Sequence, residues 1–201
     1  NGGSGSARNF GLNYATGEYV TFPDADDICK PDMFQNLVER MQTTKSDLVI
    51  CSYDNIKIDT NGKLYILGAQ KLFNKVVEGD KEVRELWFEL RKVNISILNT
   101  PWNKLYKRQI IIDNNLKFPD LKRAQDAVFN LKYYNCIKSV CVIDKCLYQY
   151  NNNDAIKKGM KFPQDAYKCF LEYNRIMEET ISQWGLYYGE YKELCDHTLL
   201  G

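Results

Sequence analysis

The stretch EYVTFPDADDICKPDMFQNLVERM, residues 18–41, carries three consecutive features that indicate how the chain folds. Residues 18–22 are rich in β-branched and aromatic side chains, which is typical of a short strand. An acidic loop follows, and Pro31 suits the first position of a helix. The apolar residues behind it recur at helical spacing: Phe34, Leu37, Val38 and Met41. The stretch therefore predicts a strand, an acidic loop and a helix.

The rest of the chain continues this alternation of helices and strands. Further helices are predicted over residues 6–17, 79–92, 103–112 and 123–135, and from 163 onwards with a break at Gly185. The candidate core positions on the later helices are Ala127, Val128, Leu131, Tyr134, Ala166, Phe170, Tyr173, Met177 and Ile181. Strands are predicted over residues 47–53, 139–144 and 146–150, with a hairpin turning at Asn61-Gly62. The fold class is therefore α/β.

Composition excludes several classes of protein. The chain has 201 residues, 44% of them hydrophobic, which suits a globular protein with a sizeable core. Lys and Arg total 27 against 26 for Asp and Glu, so a general nucleic-acid or anionic-membrane surface is not expected. No apolar run has the length of a membrane span, and no signal peptide opens the sequence.

The cysteine and histidine content limits which metal sites and catalytic groups the chain can form. The seven Cys are odd in number and include no Cys-x-x-Cys pair, which favours reduced, buried thiols in a cytosolic protein. His197 is the sole histidine and lies close to the last residue, which argues against His-rich metal sites and Ser-His-Asp catalysis. Acid–base chemistry is therefore expected from carboxylates, Lys, Tyr or Cys.

The acidic loop places Asp24, Asp26 and Asp27 within four positions. Helix capping would explain one carboxylate, and a solvated turn is a second structural explanation. An EF-hand is excluded because Cys29 stands at its sixth position and Gln35 at its twelfth. Two carboxylates one residue apart after a strand would also suit a divalent cation that keeps positions for substrate phosphates.

Two further residues have both a structural and a functional interpretation. Arg8 is either a surface arginine or a cation placed to contact a nucleotide. Asp126 opens a helix, where a carboxylate is favourable, but it would also suit a general base on the lip of the same cleft.

Taken together, these segments resemble the family two inverting glycosyltransferases of bacterial exopolysaccharide, capsule and lipopolysaccharide synthesis. The resemblance rests on five segments, in the family's order, over roughly residues 1–151: GGSGSARNFGLNYATGEYVTFPDADDICKPDMFQNL, DLVICSY, PWNKLYKRQII with NLKF, QDAVFN and LYQYN. It implies a GT-A fold, a Rossmann-like mixed sheet flanked by helices. Residues 152–201 are then expected to form a helical extension.

The resemblance also implies roles for individual residues. Asp24 and Asp26 match the family's Asp-x-Asp motif, so Asp26 is expected to coordinate Mn2+ or Mg2+, and Asp24 the ribose and the metal. Arg8 is expected near the nucleotide, and Asp126 matches the base that deprotonates the acceptor hydroxyl. Asp27 is left as the structural carboxylate that helps to start the helix at Pro31.

The remaining matches concern the acceptor side of the cleft. Trp102, Asn103 and Lys104 match a WNKL segment near the acceptor. Gln125 stands where the family usually has Glu, so a charge beside the base is lost, which would lower the pKa of Asp126 or alter acceptor contacts. The family's N-terminal strands are not present before Asn1, so we expect the chain to begin inside a larger domain and the isolated fragment to be inactive.

The expected partners follow from the same resemblance. They are a nucleotide-sugar donor, first of all a UDP-sugar, and a glycan or lipid-linked acceptor, with the protein in the cytoplasm or at the inner face of the membrane. The aromatic C-terminal helices favour packing on the catalytic domain, with a homodimer surface, an acceptor-binding flap or peripheral membrane association as alternatives. Two other functions stay open: a non-catalytic nucleotide-sugar or scaffold protein on the same fold, and a metal-dependent phosphohydrolase or nucleotidyltransferase.

Overall fold

The computed structural model describes residues 3–152 and 165–196, and its centre is a mixed seven-stranded sheet. The strands are β1 (Tyr19–Val20), β2 (Ile28–Cys29), β3 (Leu48–Ile58), β4 (Leu64–Gln70), β5 (Lys75–Glu78), β6 (Lys104–Lys107) and β7 (Ser139–Asn151). The main order is β1-β6-β3-β7-β2, with β4 beside β3 and β5 beside β7. This architecture confirms the α/β prediction.

The two long strands β3 and β7 lie parallel at the centre, and every other pairing is antiparallel. Residues 48–54 of β3 are buried without interruption, because neighbouring strands and helices cover the strand on all sides. The continuous apolar run that predicted a buried strand is therefore confirmed.

Helices flank the sheet and join one hydrophobic core with it. Their bounds are α1 (Gly3–Tyr14), α2 (Met33–Thr44), α3 (Asp80–Val93), α4 (Ile95–Asn99), α5 (Arg108–Asp113), α6 (Gln125–Tyr134), α7 (Ala166–Gln183) and α8 (Gly189–Asp196). The four core positions predicted on α6 are all buried. On α7 Phe170 is wrong as a core residue, since 43% of it is exposed, whereas its four predicted companions are buried.

The predicted hairpin turn is also confirmed. β3 and β4 pair antiparallel, and Gly62 adopts a φ of 79°, a left-handed conformation that glycine reaches without a Cβ clash. Asp59 supports the turn, since its carboxylate accepts the backbone N–H groups of Asn61 and Lys63.

Two predicted elements are wrong in type or extent. Residues 104–107 form strand β6 rather than the start of a helix, because they are paired on one side with β1 and on the other with β3. Residues 139–151 form one strand instead of two, and a register shift accommodates the exposed pair Asp144-Lys145.

The C-terminal helix α7 packs on the rest of the fold, as the packing interpretation expected. Met177 and Ile181 belong to the core, and the Trp184 indole donates to the side chain of Asn135 at 2.8 Å. His197 lies outside the described residues. The seven cysteines are unbridged, and four of them are buried. Within the described ranges, no helix is long and apolar enough to cross a membrane.

Candidate active site

Three distant segments of the chain meet at the guanidinium group of Arg8. Its Nη2 lies 2.6 Å from Oδ1 of Asp24, and its Nη1 donates to Oδ1 of Asp126. The Arg8 side chain is only 11% exposed, while the two carboxylates are about one third exposed. The structure therefore brings together three of the predicted site residues, with the cation beneath and the two acids at the surface.

Helix α1 is held in place by the residue next to Arg8. The side-chain amide of Asn9 donates to the carbonyl of Phe118 at 2.8 Å and accepts the N–H of the same residue at 2.9 Å. This pair of hydrogen bonds clamps α1 to the loop before α6. Phe10 and Tyr14 of the same helix are 64% and 70% exposed.

An aromatic cluster forms the floor below Arg8. The rings of Phe118 and Phe129 stack with centroids 4.0 Å apart, and Phe22 meets both edge-on. The Arg8 guanidinium carbon lies 5.4 Å from the centroid of Phe118. This apolar floor lowers the local dielectric and strengthens the Arg8 ion pairs.

Asp126 lies in the first turn of α6, where the helix N-terminus favours a carboxylate. The preceding Ala124 has a φ of 61°, a strained conformation for a residue with a Cβ, and strain of this kind is concentrated at functional sites. Burial raises the pKa of Asp126 to about 6, partly offset by the positive charges of Arg8 and Lys104 and reinforced by the negative charge of Asp24. A carboxylate of this kind is suited to proton transfer near neutral pH.

Asp26 differs from its neighbours in the acidic loop. It is exposed, and it forms no ion pair with any residue in the described part of the chain. Across residues 3–152 and 165–196, no three metal-ligating side chains are assembled into a cluster. A hard cation that keeps water and substrate phosphates needs only one or two carboxylates. The uncommitted carboxylate of Asp26 and the second oxygen of Asp24 therefore fit such an ion.

Asp27 serves a different purpose from the one that the sequence predicted. Helix α2 begins at Met33, with Asp32 as its flanking residue, so the helix start at Pro31 is wrong. The carboxylate of Asp27 instead accepts the Tyr148 hydroxyl at 2.6 Å and the Asn151 N–H at 2.7 Å. Tyr148 also accepts the N–H of Asp24 at 3.0 Å. Asp27 thus anchors the acidic loop to β7 through hydrogen bonds on both of its oxygens.

We expect Asp27→Ala to lower the free energy of unfolding by about 2 kcal/mol, because both hydrogen bonds to a partly buried carboxylate disappear. Urea denaturation of the variant and the parent chain measures this difference. Asp26→Ala is the matched control in the same loop and should change the free energy of unfolding by less than about 0.5 kcal/mol. Equal effects of the two substitutions would contradict the anchoring role of Asp27.

The WNKL segment lies behind the acidic loop. The Trp102 ring stacks on Tyr148 at a centroid distance of 4.5 Å and is 3% exposed. Asn103 and Lys104 are fully buried, and the Lys104 ammonium donates to the carbonyls of Ile97 and Thr100. Burial lowers the pKa of Lys104 to about 7. These contacts hold the segment within the fold. An acceptor role for the segment stays a prediction.

Gln125 faces helix α1. Its side-chain amide donates to Ser4 Oγ, and a Cβ built on Gly5 would approach Gln125 Oε1 to 2.8 Å. A side chain at position 5 would therefore displace the end of the Gln125 side chain and crowd the Cβ of Phe118 at 3.2 Å. The Gln at this position supports the contact between α1 and α6, and its role toward acceptor stays a prediction.

Two supporting residues, Asn9 and Tyr148, had not been predicted for the site. Asn9 stands directly beside Arg8 in the sequence, so its position in the ARN segment was a usable signal. Tyr148 lies in the LYQYN segment, but its contacts with Asp24 and Asp27 were not predicted, because they join residues more than 120 positions apart.

The chain is similar to known glycosyltransferases. The profile described as Glycosyl transferase family 2 matches residues 1–113. The uncharacterized glycosyltransferase EpsJ of Bacillus subtilis is 31% identical over 162 residues, which cover 76% of this chain and 43% of EpsJ. Glycosyltransferase GlyA of Streptococcus pneumoniae is 31% identical over 161 residues, covering 79% of this chain and 22% of GlyA. The chain thus spans less than half the length of these two relatives.

Solved structures show the same architecture. S. aureus TarS 1–349 in complex with UDP-GlcNAc superposes with a TM-score of 0.64 at 24% identity, covering 90% of this chain and 47% of that one. The complex of the same TarS segment with UDP gives 0.63 at 23% identity, with 90% and 45% covered. The likeness extends to the mixed sheet and its flanking helices, which is the GT-A fold.

Proposed function

Because the chain belongs to glycosyl transferase family 2, we propose that the protein is an inverting glycosyltransferase of bacterial cell-surface polysaccharide synthesis. The donor is a nucleoside diphosphate sugar, and the acceptor is a hydroxyl of a glycan or lipid-linked glycan. The observation that supports this proposal is the Arg8 bridge between Asp24 and Asp126, because it holds the carboxylate proposed for the donor side close to the carboxylate proposed as the base.

In the proposed reaction Asp126 is the general base. Arg8 engages only Oδ1 of Asp126, so Oδ2 is available to take the proton of the acceptor hydroxyl. The acceptor oxygen then attacks the anomeric carbon as the bond from that carbon to the diphosphate breaks on the opposite face. The configuration inverts, and the nucleoside diphosphate leaves with the bonding electron pair. No protein nucleophile is required for this single displacement.

Asp24 and Asp26 are proposed to hold Mn2+ or Mg2+, with Asp24 also facing the nucleotide. When bound, the cation supplies positive charge against the diphosphate. Arg8 neutralises part of the negative charge of the two acids and orients Asp126 toward the acceptor. The UDP and UDP-GlcNAc complexes of TarS support a uridine nucleotide, so UDP-GlcNAc is the first donor to test.

We expect the full-length protein to consume UDP-sugar only when both Mn2+ or Mg2+ and a glycan acceptor are present. Turnover is measured as release of UDP, and the anomeric configuration of the product by NMR. Removal of the metal with EDTA should lower turnover at least a hundredfold, and added Mn2+ should restore it.

The assay separates the competing functions. Release of UDP without any acceptor would favour a phosphohydrolase, and tight donor binding without turnover across a broad acceptor panel would favour a non-catalytic protein. A product that keeps the anomeric configuration of the donor would overturn the single displacement.

A further inference from the structure

The β3–β4 hairpin exposes an unusual run of apolar side chains. Leu64, Tyr65, Ile66 and Leu67 are consecutive, and they are 37%, 43%, 66% and 55% exposed. Among the described strands, β4 pairs only with β3, so its outer edge is open. An exposed apolar edge strand promotes aggregation in solution unless another surface covers it.

The charges around this run are mostly positive. Residues 55–74 contain three lysines and one aspartate, and Lys57, Lys63 and Lys71 are exposed without an ion pair to any described residue. The aspartate, Asp59, is committed to the hairpin turn. The near-neutral net charge of the chain therefore conceals a local patch that is both apolar and cationic.

This charge pattern argues against a second copy of the chain as the partner. Lys63 directly precedes β4 and Lys71 directly follows it, so antiparallel pairing of two β4 edges would bring lysines toward lysines. Like charges placed across a strand pair are destabilising, and edge lysines commonly prevent such pairing. A surface that is anionic outside and apolar inside would attract the lysines and also bury the exposed apolar side chains.

The hairpin leaves the sheet beside the acidic loop. Ile56, at its base, is in register with Asn151 of β7, and the Asn151 N–H donates to Asp27. A surface that covers the hairpin would therefore lie at the same end of the sheet as the candidate active site.

We propose that the β3–β4 hairpin docks on the surface of an anionic phospholipid bilayer. Ile66 and Leu67 enter the interface between headgroups and acyl chains, and Lys57, Lys63 and Lys71 contact the lipid phosphates. This docking is a separate property from sugar transfer and does not depend on the proposed reaction.

Flotation with lipid vesicles tests the proposal on the full chain. The protein should float with vesicles of equal parts phosphatidylglycerol and phosphatidylcholine, and not with phosphatidylcholine alone. Added salt should weaken the binding, because charge attraction at a membrane surface is screened. The double variant Ile66→Ser with Leu67→Ser should lower the partition coefficient at least about tenfold. Replacing the three lysines by Gln should lower it about a hundredfold.

A matched control is available on α7. Phe170 and Leu171 are 43% and 47% exposed, so the double variant Phe170→Ser with Leu171→Ser removes a comparable apolar pair elsewhere. It should leave vesicle binding within about twofold of the parent chain. Circular dichroism checks that each variant is folded.

Three results would overturn the proposal: no binding of the parent chain to anionic vesicles, binding unchanged by the hairpin variant, or equal loss in the α7 control. Light scattering measures the oligomeric state of the same variants. A dimer that the hairpin substitutions dissociate, together with no vesicle binding, would assign β4 to a second copy of the chain instead. UDP release with a water-soluble acceptor is a separate measurement, so failure of docking and failure of transfer are distinguishable.

Discussion

Replacing Asp126 by Asn is expected to lower kcat for sugar transfer about a thousandfold while the KM for the donor changes little. The substitution keeps the shape of the side chain and removes the oxygen that would accept the proton. UDP release under saturating donor and acceptor measures the effect. The fold should persist, because Asn retains an oxygen that can face the Arg8 guanidinium.

The pH dependence of kcat is a second readout of the same substitution. Since burial raises the pKa of Asp126 to about 6, the base form becomes predominant as the pH rises above 6. In the parent protein kcat should therefore rise through pH 6 and level off at neutral pH, and the Asn variant should lack this limb. Arg8, Asp24 and Lys104 are the charged groups that act on Asp126, and each is still present in the variant.

Asp80→Asn is the matched control for this experiment. Asp80 also lies in the first turn of a helix, α3, but it is exposed and distant in sequence from the site. Its replacement should leave kcat within about twofold of the parent value. If Asp126→Asn retained full activity, the assignment of the base would be wrong.

Replacing Asp26 by Asn is expected to lower turnover at least about a hundredfold and to raise the Mn2+ concentration needed for half-maximal activity. An amide is a weaker ligand for a hard cation than a carboxylate, because it carries no net charge. Asp26 is exposed and pairs with no described residue, so the melting temperature should stay close to that of the parent. Turnover at increasing Mn2+ concentrations measures the effect.

Asp120→Asn provides the comparison, since Asp120 is another exposed loop aspartate outside the Arg8 cluster. It should alter neither turnover nor metal dependence. Unchanged turnover in Asp26→Asn, at limiting Mn2+, would remove Asp26 from the proposed metal site and leave Asp24 as the candidate.

The structure shows contacts of Arg8 that were not predicted from the sequence. A cation near the nucleotide was the prediction, whereas the guanidinium is buried beneath Asp24 and Asp126 and bonded to both. Two carboxylates this close repel each other, and a buried cation between them offsets that repulsion. A contact of Arg8 with a nucleotide remains a prediction, whereas its ion pairs with the two acids are observed.

The acidic loop shows the same division between local and distant information. Asp24 and Asp26 were predicted as metal and nucleotide ligands, and Asp27 as a structural residue, because the Asp-x-Asp motif can be recognised from neighbouring residues alone. The helix-starting role predicted for Asp27 was wrong, because its partners Tyr148 and Asn151 reach the loop only after the central strands have paired. Residues 104–107 were misassigned for a similar reason, since strand pairing on both sides outweighed their local helical preference.

The α/β class, most helices and strands, the hairpin at Asn61-Gly62 and the candidate acids were all predictable from the sequence. Each of these depends on residues within a short window, where periodicity and turn chemistry act. The bridge from Arg8 to Asp24 and Asp126, and the anchoring of the loop to β7 by Asp27, became visible only in the folded chain. These contacts join residues up to 124 positions apart, and such pairings form only when burial of the shared core brings distant segments together.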